Sequence, residues 1–131
     1  MIIVDTHAWI WWVSKPTKLG RKARSKIERA TEIGLSAISV WEAAMLVGRG
    51  RLRLDRSVGE WLREALAVDR LRVLPIDSGV ALTAATFGDA IHSDPADRLI
   101  VATALEMSAP LVTKDKVIIG VSGAEFGVRC F

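Results

Sequence analysis

Cysteine is almost missing from this 131-residue chain: Cys130 stands alone. That excludes an internal disulfide framework and fits a reducing compartment. Long apolar runs are missing as well, and no stretch approaches the roughly 20 residues needed to span a bilayer. Asp5 precedes every lysine and arginine, so the start lacks the basic segment of a secretory signal. These absences lead to the expectation of a soluble, cytoplasmic protein with no membrane partner. The two histidines, His7 and His92, lack the paired spacing of a zinc motif, and neither belongs to a visible Ser/His/Asp set. No glycine-rich phosphate loop or dinucleotide fingerprint occurs, which argues against nucleotide cradling.

The composition that remains is 50% hydrophobic and 25% charged, an ordinary globular balance. The length suits one domain over residues 1–131 with a real core. Net charge is only +3, but its distribution is uneven. Lys15, Lys18, Arg21, Lys22, Arg24, Lys26 and Arg29 crowd one segment against the single acid Glu28, and Arg49, Arg51, Arg53 and Arg56 form a second cluster beside Asp55. Such clusters attract polyanions, although a solvated helix face has the same composition.

Strand-like and helix-like patterns alternate. "IIV" (2–4) reads as a buried strand, followed by a short helix from Thr6 to Val13 and a basic helix from about Leu19 to Thr31. "GLSA" (34–37) is a second strand, followed by helices over Ser39–Val47 and Val58–Val68. "RVLPI" (72–76) is a third strand, with a helix over about Gly79–Thr86, a loop "FGDAIHSDP" (87–95) and a strongly apolar helix Ala96–Met107. "PLVT" (110–113) is a fourth strand, and "GVRCF" (127–131) is a candidate fifth. This alternation predicts an α/β domain with a parallel sheet and helices on both faces.

In open α/β sheets, ligands bind beyond the carboxyl ends of the strands. Asp5 follows strand one, Ser39 and Glu42 follow strand two, Asp94 and Asp97 open the long helix, and Asp115 follows strand four. Each acid has a structural explanation. Asp5 and Asp94 suit N-caps with Pro95 at the first helical position, and "SVWE" (39–42) reads as a capping box with Ser39 as cap. Asp115 suits a loop acid. Collectively, four separated segments bring carboxylates to one rim. Clustered carboxylates persist with a cation among them or with raised pKa values. Oxygen donors without cysteine favour Mg²⁺, Mn²⁺ or Ca²⁺ over zinc. Paired ions of this kind serve in-line phosphodiester hydrolysis. Acids flanked by basic clusters therefore suit a nuclease. Thr6 and Thr113 sit beside the acids as candidates to orient ligands, and Arg98 is placed to meet a carboxylate or a phosphate. Trp9, Trp11 and Trp12 read as core or dimer packing ahead of base stacking.

"IIVDTHAWIWW", "SAISVWEAAMLVGRGRL" and "HSDPADRLIVATALEMSAPLVTKD", with the spacing between them, resemble a PIN-domain ribonuclease of the VapC toxin type over residues 1 to about 116. The resemblance implies a three-layer α/β/α sandwich around a mostly parallel sheet. It also implies a Mg²⁺- or Mn²⁺-dependent endoribonuclease acting on RNA such as tRNA or rRNA. The implied partners are a second copy of the chain and a cognate antitoxin that covers the site. Carried over by position, the catalytic acids are Asp5, Glu42, Asp97 and Asp115. Asp5 and Asp97 are then the principal metal ligands, completed by Glu42 and Asp94, and Lys22, Arg49, Arg51, Arg98 and Lys114 are candidate RNA contacts. Ala96 departs from the family pattern, where a bulky aromatic is common, and so does the ending "KVIIGVSGAEFGVRCF".

Two other readings compete. A phosphatase using Asp5 as nucleophile wants a second acid just beyond it, and the chain offers Thr6 and His7. A non-cleaving PIN-like domain that binds RNA or a partner would be favoured by a missing acid, and all four positions are filled.

Overall fold

The computed structural model describes residues 1–91, 94–121 and 129–131. Four strands, β1 (Ile2–Val4), β2 (Ile33–Ser36), β3 (Leu71–Leu74) and β4 (Leu111–Val112), pair in the order β3-β2-β1-β4. All three pairings are parallel. The helices are α1 (Thr6–Ser14), α2 (Arg21–Arg29), α3 (Ala37–Gly48), α4 (Val58–Leu66), α5 (Ser78–Ala85), α6 (Pro95–Glu106) and α7 (Lys116–Val121). A short 3-10 turn over Pro16–Lys18 links α1 to α2.

Alternation along the central strands divides the core in two. Ile2, Val4, Ile33, Leu35 and Val112 point to one face, where they meet Trp9 of α1, Ala23 and Ile27 of α2, and Trp61 and Ala65 of α4. Ile3 and Leu111 point to the other, against Val80 and Ala84 of α5, Ile100 and Val101 of α6, and Ile118 of α7. Strands covered on both faces must be apolar at every position, which is why "IIV" carries no alternating polar residue. Helix α3 touches both clusters, with Ala43 in the first and Ile38 against the second. The result is the expected α/β/α sandwich.

Gly34 marks the tightest point in the sheet. A Cβ there would lie 2.5 Å from Ile3 Cδ1 and 2.8 Å from Leu74 Cδ1, so a side chain at this position would have to displace both neighbours.

The four expected strands are present within one or two residues of their anticipated bounds. The candidate fifth is met in part. Residues 127 and 128 lie outside the described residues, while Arg129–Phe131 run beside β4, with Leu111 N–H donating to Arg129 O (2.7 Å) and Phe131 N–H to Leu111 O (2.9 Å). Of the expected loop 87–95, His92 and Ser93 also lie outside the described residues. Two corrections follow. Strand β2 ends at Ser36, which pairs with Leu74, so that α3 starts at Ala37, and Ser36, not Ser39, caps it by accepting from the Ile38 N–H (3.3 Å). Helix α7 was not expected. Asp115 Oδ1 starts it by accepting from the Val117 and Ile118 N–H groups (2.9 and 3.1 Å). The tryptophan expectation holds for Trp9, which is fully buried with its ring 5.1 Å from that of Trp61.

Candidate functional site

The chain leaves β1 into α1 on one face of the sheet and leaves β4 into α7 on the other. Adjacent parallel strands whose connections diverge in this way open a crevice at their carboxyl ends. Asp5 stands at that point. Its N–H donates to Val112 O of β4 (3.0 Å), and its Oδ1 accepts from the Ala8 N–H (2.7 Å), capping α1. The Thr113 hydroxyl, at the end of β4, also hydrogen-bonds the Asp5 carboxylate. Thr113 Oγ1 in turn accepts from the Asp115 N–H (3.0 Å). One buried threonine therefore connects Asp5 with Asp115.

Glu42 arrives from α3 and is buried. One turn earlier on the same helix, buried Ser39 Oγ accepts from the buried Thr6 hydroxyl at 2.8 Å. This bond ties the first residue of α1 to α3 and fixes Glu42 within electrostatic reach of Asp5. The Asp5 carboxyl is held above its ordinary value, chiefly because burial disfavours the charged form. Hydrogen bonds from Thr113 and Ala8 and the neighbouring His7 oppose that shift, and the Glu42 carboxylate adds to it.

The other acids are placed by α6 and α7. Asp94 caps α6, its Oδ1 accepting from the Ala96 N–H (2.8 Å), with Pro95 in the first turn. Half-buried Asp97 follows in the same turn, on the end of the helix dipole that favours an acid. Glu42 and Asp94 line a cavity of about 520 Å³ between α3 and the start of α6, together with Ile38, Trp41, Met45, Arg49 and Pro95. The structure thus links Asp5 with Glu42, Glu42 with Asp94, and Asp5 with Asp115 through Thr113.

Whether these residues suit a divalent cation is a matter of donor chemistry. Burial and mutual repulsion at Asp5 and Glu42 are what a cation relieves, and both offer hard oxygen donors. Among the described residues, however, no three Asp, Glu, His or Cys side chains close into a metal-holding group. The arrangement fits Mg²⁺ or Mn²⁺ held by one or two carboxylates, with water and phosphate oxygens completing the shell.

The basic residues divide. Lys22 and Lys26 are neighbours on α2, with their Nζ atoms 5.4 and 4.5 Å from the centre of the Phe131 ring, and Arg129 lies 5.5 Å from the same ring. Lys114 sits 5.0 Å over Trp11 and donates to Lys18 O. Arg49 and Arg51 are exposed beyond α3. Arg98 lies in α6 and is half-buried. Its guanidinium donates to the carbonyls of Ala84, Gly88 and Ile91, so it holds the end of α5 and the following loop.

Sequence reasoning missed the Ser39–Thr6 bond because Ser39 fitted a capping pattern. It also passed over Trp41, which is 56% exposed beside a buried acid. The spacing of Ile38, Trp41 and Met45 on one helix face was the signal available for it.

Comparison with known proteins agrees with this geometry. The PIN domain family model matches residues 2–123. Ribonuclease VapC22 of Mycobacterium tuberculosis is 38% identical over 115 residues, spanning 88% of this chain and 87% of that protein. The crystal structure of VapBC2 from Rickettsia felis, bound to a DNA fragment from their promoter, superimposes with a TM-score of 0.71 at 17% identity, covering 100% of this chain and 98% of the other. The crystal structure of FitAcB from Neisseria gonorrhoeae gives 0.67 at 25% identity, covering 100% and 96%. With a family match across most of its length and a strand-end acid at the switch point of the sheet, the chain belongs to the PIN-domain family, among the VapC-type ribonucleases of toxin–antitoxin systems.

Proposed function

We propose that this protein is a Mg²⁺- or Mn²⁺-dependent endoribonuclease, the toxin of a toxin–antitoxin pair, that cuts RNA phosphodiester bonds at the carboxyl end of β1. The observation that carries this reading is Asp5, half-buried at the switch point and within electrostatic reach of Glu42. A bound divalent ion supplies a water of lowered pKa and stabilises charge on the phosphate. Asp5 and Asp97 would be its principal ligands, with Glu42 and Asp94 completing or orienting its shell. Thr113 orients Asp5, and the Thr6–Ser39 bond fixes α3 against α1. Asp94 closes one wall of the adjoining cavity, and Asp115 acts through Thr113. Lys22, Arg49, Arg51 and Lys114 hold the strand by its phosphates.

The same reading includes a cognate antitoxin, a homodimer, tRNA or rRNA as substrate, cytoplasmic residence, and one domain over residues 1–131. A toxin–antitoxin complex from Klebsiella pneumoniae, among the structures similar to this chain, supports the antitoxin partner. Among the described residues, no helix is long and apolar enough to cross a membrane.

The absence of a closed three-ligand group among the described residues favours a second reading, a PIN domain that binds RNA or a partner without cutting. One experiment separates the two. Purified protein is incubated with total RNA in Mg²⁺, in Mn²⁺ and in EDTA, beside Asp97→Asn. Cutting that needs metal and is lost in the variant supports the nuclease. Metal and RNA binding without cutting supports the binding domain, and equal cutting by both proteins rejects the site.

A further inference from the structure

We propose that the cavity beside the carboxylates is a base pocket, in which Trp41 stacks on a nucleobase adjoining the scissile phosphate. The proposal rests on the nuclease reading and adds to it the group that grips the substrate next to the cut. Ile38, Trp41 and Met45 recur at helical spacing on α3 and, with Pro95, give the cavity an apolar lining. Its volume, about 520 Å³, lies in the range of small-ligand sites.

Polar groups mark two sides of this apolar lining. Glu42 and Asp94 stand on one, where the cation of the cutting site belongs, and Arg49 lies one turn beyond Met45. A nucleotide has the complementary form, a flat ring flanked by two phosphates. The ring covers Trp41 and Met45, one phosphate meets the Arg49 guanidinium, and the other stands at the carboxylates and their cation. An acidic peptide would be repelled by Glu42 and Asp94, and a purely apolar side chain would leave Arg49 without an anion. Trp41 is 56% exposed although Glu42 and Ala43 beside it are buried, so the indole is already available for stacking.

The test measures binding in EDTA, where nothing is cut, using fluorescein-labelled short single-stranded RNA of mixed sequence and an abasic chain of the same length. The two probes carry equal phosphate charge, so repulsion by metal-free carboxylates cancels between them. Wild type is expected to bind the base-bearing probe about tenfold more tightly. Trp41→Ala abolishes that preference while leaving abasic binding unchanged, and Trp41→Phe retains most of it. A wild type without preference, or an alanine variant that weakens both probes equally, overturns the proposal. So does sedimentation showing a dimer that Trp41→Ala splits, since this face would then join two copies of the chain. Cleavage by wild type is measured separately, so a failed pocket and a failed nuclease reading give different results.

Discussion

The hydroxyl of Thr6 donates to Ser39 Oγ across 2.8 Å of closed core, with both residues about 1% exposed or less. This bond joins the helix that begins at Asp5 to the helix that carries Glu42. A buried hydroxyl that loses its partner costs about 1–3 kcal/mol, whereas removing both partners together costs less. Thr6→Val should therefore destabilise the protein by that amount, and Ser39→Ala added to it should restore part of the loss. Urea unfolding of the two single variants and the double variant checks this. Strictly additive losses would show that the hydroxyls do not depend on one another.

Burial holds the Asp5 carboxyl above its ordinary value in the folded protein. Between the unfolded pKa, about 3.9, and the raised folded one, the native state binds more protons than the unfolded chain. Stability therefore falls as pH rises through that window and stays at the lower level above it. Asp5→Asn keeps a competent capping side chain and loses the buried charge. Its melting temperature should exceed that of wild type at pH 7, and the difference should shrink as pH falls into the carboxylate range. Mg²⁺ should narrow the gap at pH 7 by stabilising wild type alone. Calorimetry across pH, with and without Mg²⁺, measures both effects. A variant that melts below wild type at pH 7 would mean that the Thr113 and Ala8 hydrogen bonds outweigh desolvation.

Much of the frame was legible because it is written locally. "IIV" followed by Asp5, and Asp94-Pro95 ahead of an apolar run, each specify a strand end or a helix start within a few residues, and both were placed correctly. What was missed depends on distant partners. Ser36 rather than Ser39 caps α3 because β2 ends there, paired with Leu74, and nothing near it in sequence distinguishes the two serines as caps. "KVIIGV" has the β-branched character of a strand, yet two N–H groups captured by Asp115 turn it into α7. The carbonyls that Arg98 holds, Ala84 and Ile91, come from α5 and the loop after it, and nothing beside Arg98 in the sequence marks them. Within the site, the order of the acids was legible. Their connection through Thr113, which depends on how β4 lies against β1, was not.

Gly34 tests the packing of the sheet. An added methyl would meet Ile3 Cδ1 and Leu74 Cδ1 at 2.5 and 2.8 Å, and both are side-chain ends that shift at some cost. Overpacking of this kind destabilises by about 1–3 kcal/mol. Gly34→Ala should lower stability by that amount, and Ile3→Val, which removes the Cδ1 carbon in closest approach, should recover part of it in the double variant. Chemical denaturation of Gly34→Ala alone and with Ile3→Val measures this. An unchanged midpoint in Gly34→Ala would mean that the sheet opens freely at this position.

Lys22 and Lys26 flank the Phe131 ring, and the Phe131 carbonyl accepts from the Thr113 N–H at 3.0 Å. The pair therefore stands by the carboxyl end of β4, across that strand from Asp5, and no ion pair among the described residues engages either lysine. If a substrate strand crosses this edge, each lysine that neutralises a phosphate releases a counterion, which adds about 0.7 to the slope of log affinity against log salt for a single strand. Lys22→Ala with Lys26→Ala should weaken binding of short single-stranded RNA in EDTA and flatten that slope by about 1.4. The preference for base-bearing over abasic probes should stay as it was, because Trp41 is untouched. A double variant that binds more weakly with an unchanged slope would assign the loss to altered packing of Phe131 against α2, and would place the strand on the Arg49 side of the site alone.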